Sequence, residues 1–426
     1  VTLSVVNSSI DETGTTSATT VRVDFNHTSD QTITITLEKS GSATDGIDYV
    51  LGNTITVPPL ALSGTTQLTA TDDAIDEFPE TITIDMSCNP AICTENGVQQ
   101  QTVSLSDNDP TPTVTLSTGL GSINEDGATT TTTVTLELSA VSGLPVTVIL
   151  QKTGIAKENT DYTLVSSVLI PAGTKLTTVT LASVSDLLDE VDTESVIIDI
   201  DTVTNANESG VQTRTVFIVD DDATPTVTLL VGSVTINEDA GATTTDVTAK
   251  LSAKSALDVT VTLTKTGSAT ETGDYTLPGT IFIPAGSELV PVTLAAVKDT
   301  LNEIDETVII EINTVQNGVK SGTSQTVTIT NDDPIPTVTL SVDASQIEED
   351  DSAATTTLVK ATLSTPAGRD VTVTLTKAGT AKENADYALP NTITISAGNP
   401  SGAVTLAAVA DILNETNETV VIDITG

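Results

Sequence analysis

The sequence is poor in the residues from which most active sites are built. Among 426 residues there is no tryptophan, one histidine, one methionine and two cysteines, and aromatic residues make up only 2%. The lone imidazole, His27, lies in a polar turn and reads as an exposed residue, so triads and His-dependent proton relays have almost no material. Paired carboxylates can hydrolyse glycosidic bonds, but such a cleft needs sugar contacts. So few rings disfavour it, as they disfavour a lectin that stacks sugars. No enzyme is expected. Positive charge is scarce too: 15 Lys and Arg stand against 58 Asp and Glu, a formal net charge of -43. A nucleic-acid backbone or an anionic bilayer would repel such a surface, so neither is an expected partner. No apolar run reaches the roughly eighteen residues of a spanning helix, and no membrane insertion is expected.

The two cysteines, Cys88 and Cys93, share one short segment. They read as a local disulfide, with free thiols as the alternative, and a disulfide favours an oxidising compartment. The chain opens at Val1 inside a strand-like pattern, without an initiator Met or a signal peptide, and reads as a piece of something longer. Acidity on this scale accompanies disorder, high-salt adaptation or bound cations. With 38% hydrophobic residues, many of them β-branched, disorder is disfavoured and cations become the first thing to seek.

Self-similarity decides the architecture. The segment beginning at Val1 (Val-Thr-Leu-Ser) returns at Val114 and Val338, and at Val227 with Leu230 in place of the serine. A second marker, Lys39–Tyr49 (KSGSATDGIDY), returns at Lys152–Tyr162, Lys265–Tyr275 and Lys377–Tyr387. A period of about 110 residues means whole domains in series rather than solenoid coils. The expected repeats are 1–109, 110–222, 223–333 and 334–426. Within them the period is two: Val259, Val261 and Leu263 alternate with threonines, as do Val371, Val373 and Leu375. In repeat three the spacing predicts strands over 227–231, 243–251, 258–265, 280–283, 289–297, 307–312 and 325–330. The fold class is therefore all-β, with four tandem immunoglobulin-like, seven-stranded sandwiches, and no amphipathic helix is found. The fourth repeat stops before its last strand. The junctions contain Pro110 and Pro112, Pro225, and Pro334 and Pro336, so they are stiff, and an extended rod is expected.

Acidic residues gather at the same places in every repeat. In the first they are Glu12, Asp48, the run Asp72, Asp73, Asp76, Glu77 and Glu80, and then Asp107 and Asp109. Loops at one pole of a sandwich can bring these together, and like charges at that range repel unless a cation neutralises them. Hard oxygen donors without His or Cys select calcium over zinc. The glutamate in Ile123-Asn124-Glu125-Asp126, the Asp274-Tyr275 turn, the Asp-x-x-x-Glu-x-x-Glu run and the terminal acidic pair give the whole chain a marked resemblance. It resembles tandem Calx-beta domains, the fold of the calcium-sensing domains of sodium–calcium exchangers and of many bacterial surface proteins.

The resemblance implies calcium as the cofactor, with ligands Glu12, Asp48, Asp72, Asp73, Glu77, Asp107 and Asp109 in repeat one. Repeat two offers Glu125, Asp161, Asp186, Glu190, Asp220, Asp221 and Asp222, with Ser185 in the place of Asp72. Repeat three offers Glu238, Asp274, Asp299, Glu303, Glu306, Asp332 and Asp333, but Lys298 stands in the Asp72 place, so fewer calcium ions are expected there. Repeat four keeps Glu349, Asp386, Asp411, Glu415 and Glu418, has Ala410, and lacks the terminal acidic pair, so its site is expected to be weak.

The once-per-repeat tyrosines, Tyr49, Tyr162, Tyr275 and Tyr387, read as core residues rather than binding ones. Sequons at Asn7, Asn26, Asn207, Asn414 and Asn417 leave glycosylation open. The expected role is a calcium-rigidified stalk or filament segment of an extracellular, cell-surface adhesion protein. Its partners would be neighbouring repeats or copies of itself, with a surface receptor or glycan as an outside partner. A calcium sensor, or a module that binds its partner directly, is the alternative.

Overall fold

Valine and threonine alternate along the strand Val259–Gly267, and burial follows: Val259, Val261 and Leu263 point inward while the threonines between them face outward. Period-two patterning of this kind gives each strand one apolar face, and two such faces must cover each other. The computed structural model describes residues 1–349 and 355–425, and among them every regular element is a strand.

In the third repeat, one sheet runs in the order Tyr275–Thr276, Leu289–Ala296, Thr244–Leu251, Thr226–Val231, Val319–Lys320. The other runs Thr235–Asn237, Gln325–Thr330, Glu306–Gln316, Val259–Gly267, Thr280–Ile283. All seven strands expected from the spacing are present, and short strands at 235–237, 275–276 and 319–320 extend the sheet edges. The two inner faces enclose a core that includes Val227, Val247, Val261, Ile281, Leu294, Val308, Ile310 and Val327. The first, second and fourth repeats have separate cores of the same make-up. By compactness the chain divides into two units, Val1–Asp186 with Val191–Asp221, and Leu187–Glu190 with Asp222–Gly426.

One detail of topology positions everything that follows. The first strand of the third repeat pairs antiparallel with Thr244–Leu251 in one sheet, and the chain then crosses to the other. There Thr235–Asn237 lies parallel to the final strand, with Asn237 opposite Thr330. The same crossing puts Asp11 opposite Ser106 and Asn124 opposite Val219. Each crossing strand is followed at once by the repeat's strand-A glutamate, so Glu12, Glu125 and Glu238 are delivered to the pole where the last strand ends.

The Lys…Asp-Tyr marker is a structural device. Gly41, Gly154, Gly267 and Gly379 all have positive φ, and a Cβ at Gly41 would lie 2.1 Å from the Thr81 carbonyl oxygen, so only glycine fits. The lysine before each lies along the sheet: Lys39 Nζ donates to the Leu51 carbonyl at 2.7 Å and to Asp45, and Lys152, Lys265 and Lys377 repeat both bonds. The four tyrosines are buried in the cores, at 1–4% exposure.

In the fourth repeat the second sheet has three strands among the described residues, Thr392–Ile395, Val371–Gly379 and Val420–Ile424. Val420, Ile422 and Ile424 are only half-buried, whereas Val308, Ile310 and Ile312 at the same places in repeat three are buried. In repeat three the strand Gln325–Thr330 pairs beside these positions, and among the described residues of repeat four none does. Cys88 and Cys93 are joined as a disulfide in the hairpin loop of the first repeat.

Candidate metal centre

Four loops meet at the pole of the first repeat. Glu12 follows the crossing strand Ser9–Asp11, and its N–H donates to the Ser106 carbonyl at 3.2 Å. Asp107 and Asp109 follow the last strand, Gln100–Ser106. Asp48 ends the marker turn, where its carboxylate accepts the Thr44 N–H and its own N–H returns to the Thr44 carbonyl. Asp73 and Glu77 lie in the loop after Ser63–Ala70, and Glu80 opens the strand Glu80–Ser87.

These side chains form two groups. Oxygens of Glu12, Asp107 and Asp109 lie within 4.8 Å of one another, and so do those of Asp48, Glu77 and Glu80. Two unit charges at that range repel by about 3–4 kcal/mol at an effective dielectric near 20. Four of the oxygens, Glu12 Oε2, Glu80 Oε2, Asp107 Oδ1 and Asp109 Oδ2, are buried and accept no hydrogen bond from the protein. The titration of the cluster records the strain. Burial, then the charges of Asp107, Asp73, Asp109 and Glu77, push the Glu12 carboxyl up to about 7. Burial and then Asp48 raise Glu80 to about 7 as well. Glu77, Asp107 and Asp109 are also raised, burial being the largest cause for each.

The third repeat rebuilds the arrangement. Glu238, Asp299 and Asp333 bring oxygens within 4.8 Å. The Glu238 N–H donates to the Thr330 carbonyl at 3.1 Å, and Asp333 Oδ2 is buried without a donor. Glu238 is raised to about 7 chiefly by burial, and Glu306 to about 7 by burial and its contact with Asp274. A small cleft lined by Glu238, Asp274, Glu303, Glu306 and Asn331 opens there. Lys298, in the place of Asp72, forms an ion pair with Asp239. Asp332 is exposed, and its Oδ2 accepts the Ala240 N–H at 3.0 Å.

In the second repeat the Glu125 N–H donates to the Val219 carbonyl at 2.9 Å, and the Asp186 N–H to Glu125 Oε1 at 2.8 Å. Asp161 Oδ2 accepts the Lys157 N–H. Glu190, Asp220 and Asp222 are half-buried and Asp221 is exposed. In the fourth, the Asp411 N–H donates to Glu349 Oε1 at 3.2 Å and Asp386 Oδ2 accepts the Lys382 N–H, while Asp411, Glu415 and Glu418 are exposed.

Two residues fall differently from the sequence reading. Glu80 stands outside the ligand set implied for repeat one, yet it joins Asp48 and Glu77; its spacing three residues after Glu77 was the available signal. Asp76 reads as one of the acidic cluster, but it is 9% exposed and stands outside the two groups named above: its backbone bridges to Ser142 of the second repeat, and its Oδ1 accepts the Thr111 hydroxyl at 3.3 Å. Its counterpart in repeat three is the neutral Asn302, as a packing role allows. Asp72 and Asp73 are exposed at the rim, and Asp73 Oδ1 accepts the Ile75 N–H.

A profile of the Calx-beta domain matches residues 1–109, 107–222, 220–334 and 331–426, which together span the chain. The chain belongs to the Calx-beta domain family. Solved Calx-beta structures similar to it include CBD12 from CALX1.2, at 16% identity over 46% of this chain and 77% of that one, with a TM-score of 0.22. The apo form of the Calx CBD1 domain is 20% identical over 26% of this chain and all of that one, with a TM-score of 0.23. The calcium binding domain CBD12 of CALX1.1 is 14% identical over 49% of this chain and 96% of that one, with a TM-score of 0.22. No curated protein matches the chain.

The Calx-beta poles fit a hard divalent cation. Their donors are all oxygens, several are buried without hydrogen bonds, and each group of repeat one supplies three carboxylates, six oxygens when each binds through both, within the six to eight calcium takes.

Proposed function

We propose that this chain is a calcium-stiffened structural segment of an extracellular surface or adhesion protein. Its Calx-beta repeats take calcium at their carboxylate poles, most fully in the first. The observation that carries the reading is the set of buried oxygens with no donor, on Glu12, Glu80, Asp107, Asp109 and Asp333. An ionised carboxylate desolvated in this way is costly unless a cation sits against it. Calcium would then stabilise the folded repeat by mass action and fix the loops from which the next repeat departs. Four repeats of one design in series suit a spacer, with neighbouring repeats or further copies as the main partners and a surface receptor or glycan at its end.

A sensor role is the second reading. The copy-to-copy change from Asp72 to Ser185, Lys298 and Ala410 favours it, since it would grade calcium affinity along the chain. Thermal unfolding and small-angle scattering of the whole chain, in calcium and in chelator, test the proposal. Calcium should raise the melting of repeats one to three and narrow the distribution of particle dimensions. An unchanged melting temperature overturns the calcium reading. A raised melting temperature with identical scattering leaves the sensor as the better account.

A further inference from the structure

At two junctions, a candidate ligand of one repeat lies against a glycine of the next. In the first unit, Asp76, the residue before Glu77, forms a parallel bridge to Ser142 in the loop between Thr131–Leu138 and Val146–Gly154. The Gly143 N–H donates to the Asp76 carbonyl at 3.1 Å, and Ser142, itself 1% exposed, reaches the same carbonyl with Oγ at 3.4 Å. Gly143 is not among the residues with positive φ, so its backbone conformation does not call for glycine. Space does: a Cβ at Gly143 would lie 2.5 Å from Glu77 Oε1 and 2.7 Å from its Cγ.

The second unit repeats the arrangement. Asn302 bridges to Ala367, and the Gly368 N–H donates to the Asn302 carbonyl at 3.1 Å. A Cβ at Gly368, also without a positive φ, would lie 2.1 Å from Glu303 Oε1 and 2.4 Å from its Cγ. At both junctions the obstructed atoms belong to a flexible glutamate and not to backbone. An added methyl would therefore push the carboxylate aside and leave the fold standing.

We propose that Gly143 and Gly368 are positioning residues for the calcium sites of the preceding repeats. Each leaves room for a glutamate, Glu77 or Glu303, to lie across the neighbouring loop and hold its carboxylate in the ligand cluster. This rests on the calcium reading above, and the test separates the two.

Calcium binding to the whole chain is measured by titration calorimetry for the wild type, Gly143→Ala and Gly368→Ala, with melting recorded in chelator and in calcium. Each substitution should weaken one repeat's calcium about 10- to 100-fold, the usual effect of losing a partner that orients a ligand. Melting in chelator should hardly move. In a Glu77→Ala background, Gly143→Ala should add little further loss, because the group it displaces is gone. Wild-type affinity in both glycine variants overturns the inference. So does an equal fall in melting with and without calcium, or additive losses for Glu77→Ala and Gly143→Ala. A wild-type chain that binds no calcium overturns the calcium reading itself, and with it this inference.

Discussion

Replacing Glu12 by glutamine should change the stability of the first repeat in opposite directions with and without calcium. In the cation-free protein the Glu12 carboxyl titrates near 7, against an ordinary value of 4.5. Holding it ionised in the folded state at pH 7.5 thus costs at most about 3 kcal/mol relative to the unfolded chain. Solvent screening at the rim of the pole discounts that figure, so a gain of about 1–2 kcal/mol is the working figure for the neutral, isosteric Glu12→Gln. For a domain of roughly this size that is about 4–8 °C of melting temperature in chelator. In calcium the same substitution removes a charged donor from the group with Asp107 and Asp109, and melting should fall below that of the wild type. Differential scanning calorimetry of the whole chain, in chelator and in millimolar calcium, gives both signs. A loss of equal size in both buffers would refute the reasoning, because Glu12 would then be acting as packing and not as a crowded charge.

Three further outcomes follow from the same sites. Glu12, Glu80, Glu238 and Glu306 all have folded-state values near 7, above their unfolded values, so the stability they lend is full below about pH 4.5 and is lost as pH rises toward 7. Chelated protein should therefore melt higher at pH 5 than at pH 7.5, and calcium should remove that slope. Lys298→Asp should increase the calcium bound by repeat three, read as stoichiometry by equilibrium dialysis, because it replaces a resident ammonium with a donor; an unchanged stoichiometry counts against the cation-substitute role of Lys298. Alkylation of unreduced protein should label neither Cys88 nor Cys93, and Cys88→Ser with Cys93→Ser should cost the first repeat about 2 kcal/mol, the loop-entropy value for so short a loop; labelling of both thiols refutes the bond.

Much of the fold was legible because its long strands obey one rule. Thr280–Ile283 and Gln325–Thr330 have the bounds that alternation predicts, since every second residue must enter the core. The strands that escaped are two or three residues long, too short to carry a period. Among them is Ser9–Asp11, whose parallel pairing with the last strand depends on residues almost a whole repeat away. The site was legible as a set of loops but not as a geometry. Recurrence pointed to Glu12, Asp48, Glu77, Asp107 and Asp109. It could not separate Asp76 from them, because its role is fixed by a backbone bridge to the next repeat. Nor could it show that Lys39 and its counterparts are tied down within their own turns, because that depends on side-chain reach across the sheet.

The parallel pairing of the crossing strand with the final strand has a mechanical consequence. Tension along the chain enters a repeat near the crossing strand and leaves after the last one, so it pulls two parallel neighbours in opposite directions along their length. Their backbone bonds, such as those joining Thr235–Asn237 to Thr328–Thr330, are then loaded together in shear rather than opened one at a time. Just beyond that pair, Glu238 faces Asp333, and Glu12 faces Asp107, so a cation held between them would act as a rivet across the loaded seam. Single-molecule extension should then show a higher unfolding force for the first and third repeats in calcium than in chelator.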